Sequence, residues 1–410
     1  MKSAHASRPV APPTVLKGSN RHLAGYAYFT SIVYLSIGLP LAVLPPYVHK
    51  DMGYNAALAG LVISIQYVAT LVSRPWAGRI SDRYGAKVSV LWGMGMCAAS
   101  GAVLMLAALA HSLPWLSLVL LFLSRLVLGT GESLGSTGST LWGITSAGPE
   151  FTAKMISFNG ISTYGGMAIG APLGVILDQR WGLGSIGLLT LAICAYSLLL
   201  ASRKEPVPVV HGEHLPFSHV LGRVAPHGMG LALGGVGYSV LATFITLFYL
   251  SRHWQGAALC LSSFGVAFIL ARIFFIHAID RYGGYPVGIV CLLTESVGTI
   301  LMWQATGPWM ALLGAAFTGL GFSLVFPALG VEAVKRVTEN NRGSALGVYT
   351  AFADVSFFLT GPLAGAVIGH WGYASVFLFS LVSVLSALGI TLLLRALSQK
   401  AERRGAIANL

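Results

Sequence analysis

Charge is scarce in this chain. Acidic side chains number 13 and basic ones 25 among 410 residues, so 9% of the sequence is charged, against roughly 25% in soluble domains. A chain this poor in charge cannot cover a water-facing surface, which excludes an ordinary soluble fold. Cysteine is nearly absent too. Cys97, Cys194, Cys260 and Cys291 fall inside apolar stretches without metal-ligand or disulfide spacing, and read as packing residues. Histidine is missing from the middle of those stretches, since His111, His253, His277 and His370 lie near their ends.

What the chain has instead is apolar length. Hydrophobic residues make up 55% and the mean hydropathy is +0.75. A membrane-crossing helix needs about 20 mostly apolar residues, and twelve such runs are present: 24–47, 56–78, 88–110, 114–142, 156–178, 183–202, 226–250, 257–279, 286–305, 309–334, 343–369 and 373–396. The expected fold class is an all-α integral membrane protein. The net charge of +12 would suggest nucleic acid in a soluble protein, but here its distribution matters more. With the N-terminus inside, 19 of the 25 Lys and Arg fall in cytoplasmic segments. Lys50, Arg180 and Arg252 fall outside, and Arg74, Arg125 and Arg272 within helices or at their ends. The positive-inside rule then places both termini in the cytoplasm, and nucleic acid is not an expected partner. Residues 1–22 have the polar, Pro-containing composition of a disordered tail, and the first run is too long for a cleaved signal sequence.

The polar stretch Arg203–Arg223 divides the runs six and six. Expected units are a cytoplasmic tail (1–22), a six-helix bundle (23–203), an inter-bundle loop (204–223), a second six-helix bundle (224–397) and a second tail (398–410). The halves repeat. Arg74–Gly85 reads RPWAGRISDRYG and Arg272–Gly283 reads RIFFIHAIDRYG, at an offset of 198. Gly129-Thr-Gly131-Glu-Ser133 is echoed by Gly319-Leu-Gly321-Phe-Ser323, and Pro172 by Pro362, at an offset of 190. Such duplication implies two related bundles around a midplane cavity, working by alternating access.

The segment Gly131-Glu-Ser-Leu-Gly135 has the spacing of a nucleophile elbow, and Gly129-x-Gly131-x-x-x-Gly135 comes close to a dinucleotide fingerprint. Both need a strand before the glycines. Here they sit inside an apolar run, so catalysis is not expected, and neither is a cofactor or metal.

With these motifs in view, the chain resembles the major facilitator superfamily over essentially its whole length. The stretch Gly78-Arg-Ile-Ser-Asp82-Arg83-Tyr-Gly85-Ala-Lys87 is similar to the family's loop between helices 2 and 3, with a partial second copy at Asp280-Arg281-Tyr-Gly. That resemblance implies a gating role for Gly78, Asp82, Arg83, Gly85, Lys87, Asp280 and Arg281. Arg125-x-x-x-Gly129-x-Gly131 resembles the helix-4 motif linked to proton coupling. Gly166-x-x-x-Gly170-Ala-Pro172-Leu-Gly174 resembles the antiporter motif of helix 5, with Ala171 where the family has Gly, and Gly361-Pro362-Leu-Ala-Gly365 is its relative on helix 11. These are expected to bend helices 5 and 11. The segments GLPLAVLPPYVH, GSTLWG and FSLVFPALGVEAVK look like a bacterial inner-membrane subgroup typified by YhhS and YfcJ. The resemblance implies a monomeric, proton-driven exporter of a drug, sugar or metabolite. A lipid or lysolipid flippase of the same fold and a proton-coupled importer are the alternatives.

Ionisable groups at membrane depth cost about 2.5 to 3.5 kcal/mol even on a lenient scale, so the few that occur carry functional expectations. Arg125 and Glu132 are seven residues apart, on nearly one helix face and roughly 10 Å apart along the axis, so each needs a partner on another helix. At the 190 offset Arg125, Glu132 and Asp354 correspond to Ala315, Phe322 and Tyr164, so these charges break the repeat. Asp354 is the first expected proton-coupling residue and Glu132 the second, with Arg125 tuning them; Glu295 is expected to be structural. In the family fold helices 1, 2, 4, 5, 7, 8, 10 and 11 line the cavity, which makes Tyr34, Gln66, Trp142, Asn159, Tyr164, Tyr238, Phe244, Tyr349 and Phe352 the expected substrate-lining residues.

Overall fold

The computed structural model describes residues 20–148, 151–207, 217–275, 277–337 and 342–408, and among them every regular element is helical. In hydrocarbon a backbone must satisfy its own hydrogen bonds, which a helix does within one segment. Twelve long helices result: α1 Asn20–Leu41, α2 Ala56–Tyr84, α3 Ala86–Leu109, α4 Pro114–Ala147, α5 Thr152–Trp181, α6 Leu183–Arg203, α7 Phe217–Ser251, α8 Ala258–Phe275, α9 Gly284–Trp303, α10 Pro308–Val334, α11 Arg342–Trp371 and α12 Ser375–Ala408. All twelve are long and apolar enough to cross a membrane.

Helix ends follow local chemistry. The Asn55 side chain accepts from the Leu58 N–H at 2.8 Å, capping α2. The tight breaks after α2 and α5 use Gly85 (φ 93°) and Gly182 (φ 75°), and the repeat supplies Gly283 (φ 84°) and Gly372 (φ 81°) at the equivalent places. Only glycine enters that region without a Cβ penalty.

Two boundaries differ from the expected units. The loop 204–223 is shorter, because α7 is already helical at Phe217, and the expected tail from 398 is helical to Ala408. Hydropathy marks where the bilayer ends, whereas helix formers beyond it, Leu221, Arg223 and Ala225 at the start of α7 and Gln399, Lys400, Ala401 and Glu402 at the end of α12, keep a helix going. Residues 1–19 of the first expected tail lie outside the described residues.

Within each bundle, glycines let backbones meet. Gly129 on α4 lies against the Gln66 carbonyl of α2, and its repeat partner Gly319 on α10 lies against the Phe264 carbonyl of α8. Gly170 packs on the α1 backbone, where an added Cβ would meet the Leu35 carbonyl at 2.9 Å, and Gly174 packs on Leu39. Gly361 and Gly365 do something different. They face α2 of the other bundle, at Gly60 and Ala57. The bundles meet along α2–α11 and along α5–α8, where Gly265 packs on Ala168. A hydrogen bond of 2.9 Å joins Tyr373 to His49 at the same end of the molecule as Gly60 and Gly365. That end is closed, and a cavity of about 640 Å³ lies between the bundles toward the end that carries Asn20 and the α12 C-terminus.

Candidate functional site

The cavity wall is built from α1, α2, α4 and α5 on one side and α7, α8, α10 and α11 on the other. Of the expected lining residues, Tyr34, Asn159, Tyr164 and Tyr238 line it. Five do not. Trp142 is buried inside the N-terminal bundle, its ring stacked on Phe29 at 5.9 Å. Phe244 packs on Gly60 at the closed end, Phe352 packs on Gly228, and the Tyr349 hydroxyl donates to the Phe326 carbonyl at 3.0 Å. Gln66 sits one layer behind the wall. Helix number alone does not fix helix face: the stripe Glu132, Ser136 and Thr140 of α4 marks the side that meets the cavity, and an aromatic side chain gives no such mark.

Gln66 proves to be the joint between the two charges of α4. Its amide oxygen accepts from the Arg125 guanidinium at 3.1 Å, and its amide nitrogen donates to Glu132 at 3.4 Å. Glu132 also accepts from the hydroxyls of Tyr34 and Thr70, each at 3.1 Å. The spacing argument, that Arg125 and Glu132 need partners elsewhere, thus has one answer for both residues. Glu132 lines the cavity and Arg125 does not; Arg125 is fully buried and its Nε has no partner among the described residues.

Asp354 reaches across the boundary. Arg74 of α2 forms a bidentate ion pair with its carboxylate, Nε to one oxygen and an Nη to the other at 2.9 Å. Both residues line the cavity. A fork of two parallel N–H groups on one carboxylate is the strongest common charged contact, and here it ties the bundles together. Sequence reasoning quoted Arg74 as the first shared residue of the RPWAG and RIFFI repeat without assigning it a role. Its signal was present: an arginine inside an apolar run is as conspicuous as the acid Asp354, and the two can satisfy each other.

The residues expected to gate occupy different surroundings. Gly78 and Asp82 line the cavity, and a Cβ at Gly78 would meet open space in this conformation. Arg83 lies over the Tyr84 ring at 5.4 Å, and Arg281 over the Tyr282 ring at 5.2 Å, so the repeat reproduces this contact. Asp280 is exposed in a short helical turn, Ala278–Tyr282. Lys87 donates to the carbonyls of Ser202 and Lys204 at 2.8 and 2.7 Å. It therefore caps the end of α6 inside its own bundle, where a helix C-terminus favours a cation. Pro172 and Pro362 lie within α5 and α11.

Glu295 is fully buried in α9, with neither oxygen hydrogen-bonded among the described residues, and lies against the backbone of Gly237. Ser133 is also fully buried. The glycines flanking it pack on α3, where a Cβ at Gly93 would meet Gly135 Cα at 2.6 Å. His227, overlooked near the start of the seventh run, is buried and hydrogen-bonded to Tyr285 at 2.9 Å.

Comparison with known proteins agrees with this architecture. The family model of the Major Facilitator Superfamily matches residues 27–274 and 228–408. An uncharacterised transporter of that type from Pseudomonas aeruginosa (strain UCBPP-PA14) is 52% identical over 397 residues, covering 97% of this chain and 98% of the relative. One from Burkholderia pseudomallei (strain 1106a) is 47% identical over 406 residues, covering 99% and 100%. The crystal structure of a D-xylose–proton symporter superimposes with a TM-score of 0.74 at 17% identity, covering 89% of this chain and 96% of the symporter. The chain belongs to the Major Facilitator Superfamily: it is a multi-pass membrane transporter of small molecules and not an enzyme.

Proposed function

We propose that this chain exports a small organic molecule from the cytoplasm in exchange for protons, as a monomer in the bacterial inner membrane, with no cofactor beyond the proton gradient. The observation that carries the reading is the Arg74–Asp354 pair, an ion pair that spans the boundary between bundles and faces the cavity. Alternating access requires the bundles to rock against each other. Separating a buried pair leaves two uncompensated charges, a state that costs several kcal/mol. Protonation of Asp354 removes the more deeply buried of the two charges and lowers that cost, so proton occupancy biases which end is open. Glu132 is a second acid lining the same cavity, from the N-terminal bundle, held by neutral donors from Tyr34, Gln66 and Thr70. The positive-inside charge distribution supports cytoplasmic termini, which makes this conformation open to the cytoplasm. The Gly166–Gly174 stretch supports export over import through its resemblance to the antiporter motif.

The test uses proteoliposomes containing a pH-sensitive dye, with drugs, sugars and metabolites screened for the ability to discharge an imposed pH gradient. With a compound that does so, Asp354→Asn is expected to exchange labelled compound while leaving the gradient standing. Coupling equal to wild type in Asp354→Asn would remove the residue from this role, and lysolipids discharging the gradient in place of soluble compounds would favour a flippase.

A further inference from the structure

The repeat that relates the bundles leaves Arg272 without an acidic partner among the described residues. Arg272 on α8 stands at the position of Arg74 on α2, and Tyr164 on α5 at the position of Asp354 on α11. One boundary therefore pairs a guanidinium with a carboxylate, and the other sets a guanidinium beside a phenol. Arg272 is 6% exposed and lies on the cavity wall. One Nη donates to the Ser323 carbonyl at 2.8 Å, and Cζ lies 5.0 Å from the Phe268 ring centre. Its Nε is buried without a partner, and no acidic side chain forms an ion pair with it among the described residues. Helix α5 makes room for the group at Gly160, where an added Cβ would fall 2.9 Å from Cζ.

A buried charge without a counter-ion is unfavourable, and a guanidinium presents a fork of donors matched to a carboxylate or phosphate. Next to it the wall is aromatic: Tyr164 lies 3.8 Å from Phe268, centre to centre, and Tyr238 stacks on Phe322 at 6.2 Å. The cavity also carries two acids, Glu132 on the opposite bundle and Asp354 on α11, and Arg74 is already paired.

We infer that Arg272 docks the anionic group of the transported molecule, and that this molecule is an amphipathic monocarboxylate whose apolar body lies on Tyr164, Tyr238, Phe268 and Phe322. A phosphate monoester carries nearly two charges, and the opposing acids disfavour the second. The inference rests on the transport reading, since it is a moving ligand that supplies and removes the counter-ion.

The test uses the full-length protein purified in detergent, so that binding is read with no gradient present. Benzoate, phenylacetate and indole-3-acetate are compared with benzamide, phenylacetamide and indole-3-acetamide, by titration and by apparent melting temperature. At least one acid is expected to bind and stabilise, with its amide tenfold or more weaker. Arg272→Gln is expected to weaken the acid by roughly tenfold to a hundredfold and to leave the amide unchanged. Arg272→Lys should retain part of the affinity, and Gly160→Ala should reduce it by crowding the guanidinium. The ligand-free Arg272→Gln protein is expected to melt no lower than wild type, because it loses a buried charge that had no acidic partner among the described residues. Acids and amides binding alike, no acid binding, or an acid held equally well by Arg272→Gln would each overturn the inference. Proton coupling is read separately with Asp354→Asn in proteoliposomes. An acid that binds without moving protons leaves the Arg272 site standing and removes the coupling reading, while proton-coupled movement of a neutral compound does the reverse.

Discussion

In the N-terminal bundle the cavity is backed by Tyr34, Gln66, Thr70, Arg125 and Glu132, joined by hydrogen bonds. In the C-terminal bundle the repeat puts Phe264, Phe268, Ala315 and Phe322 at the places of Gln66, Thr70, Arg125 and Glu132, and Tyr238 on Phe322 where Tyr34 meets Glu132. The backbones agree closely enough that Gly129 and Gly319 touch the carbonyls of equivalent residues, Gln66 and Phe264. One scaffold therefore carries a polar wall and an aromatic wall. Duplication preserves what two helices need in order to pack, and the side chains that face the gap between bundles are free to diverge. The same asymmetry runs along the boundaries, where Arg74 has Asp354 and Arg272 has Tyr164.

Substitutions can break this comparison at several levels. The largest effect is expected from Arg74→Gln, which leaves Asp354 buried and unpaired. Losing one member of a buried pair costs about 3 to 5 kcal/mol, and the quarter exposure of the Arg74 side chain puts the expected value near about 3. The double variant Arg74→Gln with Asp354→Asn should recover most of it, as read by apparent melting temperature in detergent. Next come Gly129→Ala and Gly319→Ala. Each forces a methyl against a backbone carbonyl, and overpacking of this kind costs about 1 to 3 kcal/mol. If the scaffold is truly shared, the two losses agree; a large difference would show that the repeat is closer in sequence than in packing. Thr70→Val removes one donor from Glu132 while keeping the shape, for an expected loss of about 1 kcal/mol. The smallest effect on coupling is expected at Phe268→Leu, the repeat position of Thr70. The exchange trims ring volume but takes no donor from Glu132, so proton coupling should not change. Coupling altered at Phe268 as much as at Thr70 would erase the distinction between the walls.

Much of the fold was legible because its signals are local. Twelve apolar runs, a break between the sixth and seventh, and glycines recurring at fixed offsets can each be read within a few residues of chain. Glu132 and Asp354 were legible because an acid at membrane depth is conspicuous against apolar neighbours. The lining residues were less so. Tyr34, Asn159, Tyr164 and Tyr238 face the cavity, whereas Trp142, Phe244, Tyr349 and Phe352 pack elsewhere. Aromatic side chains suit a lipid face, a packed core and a cavity wall alike, so residue type does not choose among them.

By itself the sequence determined that this chain crosses a membrane twelve times in two related halves, because hydrophobic length and backbone self-satisfaction leave a helix no alternative in hydrocarbon. It also determined which charges are unusual. Only the tertiary structure decided who meets whom: that Gln66 joins Arg125 to Glu132, that Asp354 belongs to Arg74 rather than to Arg125, that Lys87 closes α6, and that Arg272 has no acidic partner among the described residues. Those pairings link residues up to 280 positions apart. They depend on how far each helix is rotated about its axis, and in a helix that is apolar on every side this rotation is set by glycine-lined packing against its neighbours, which no single segment encodes.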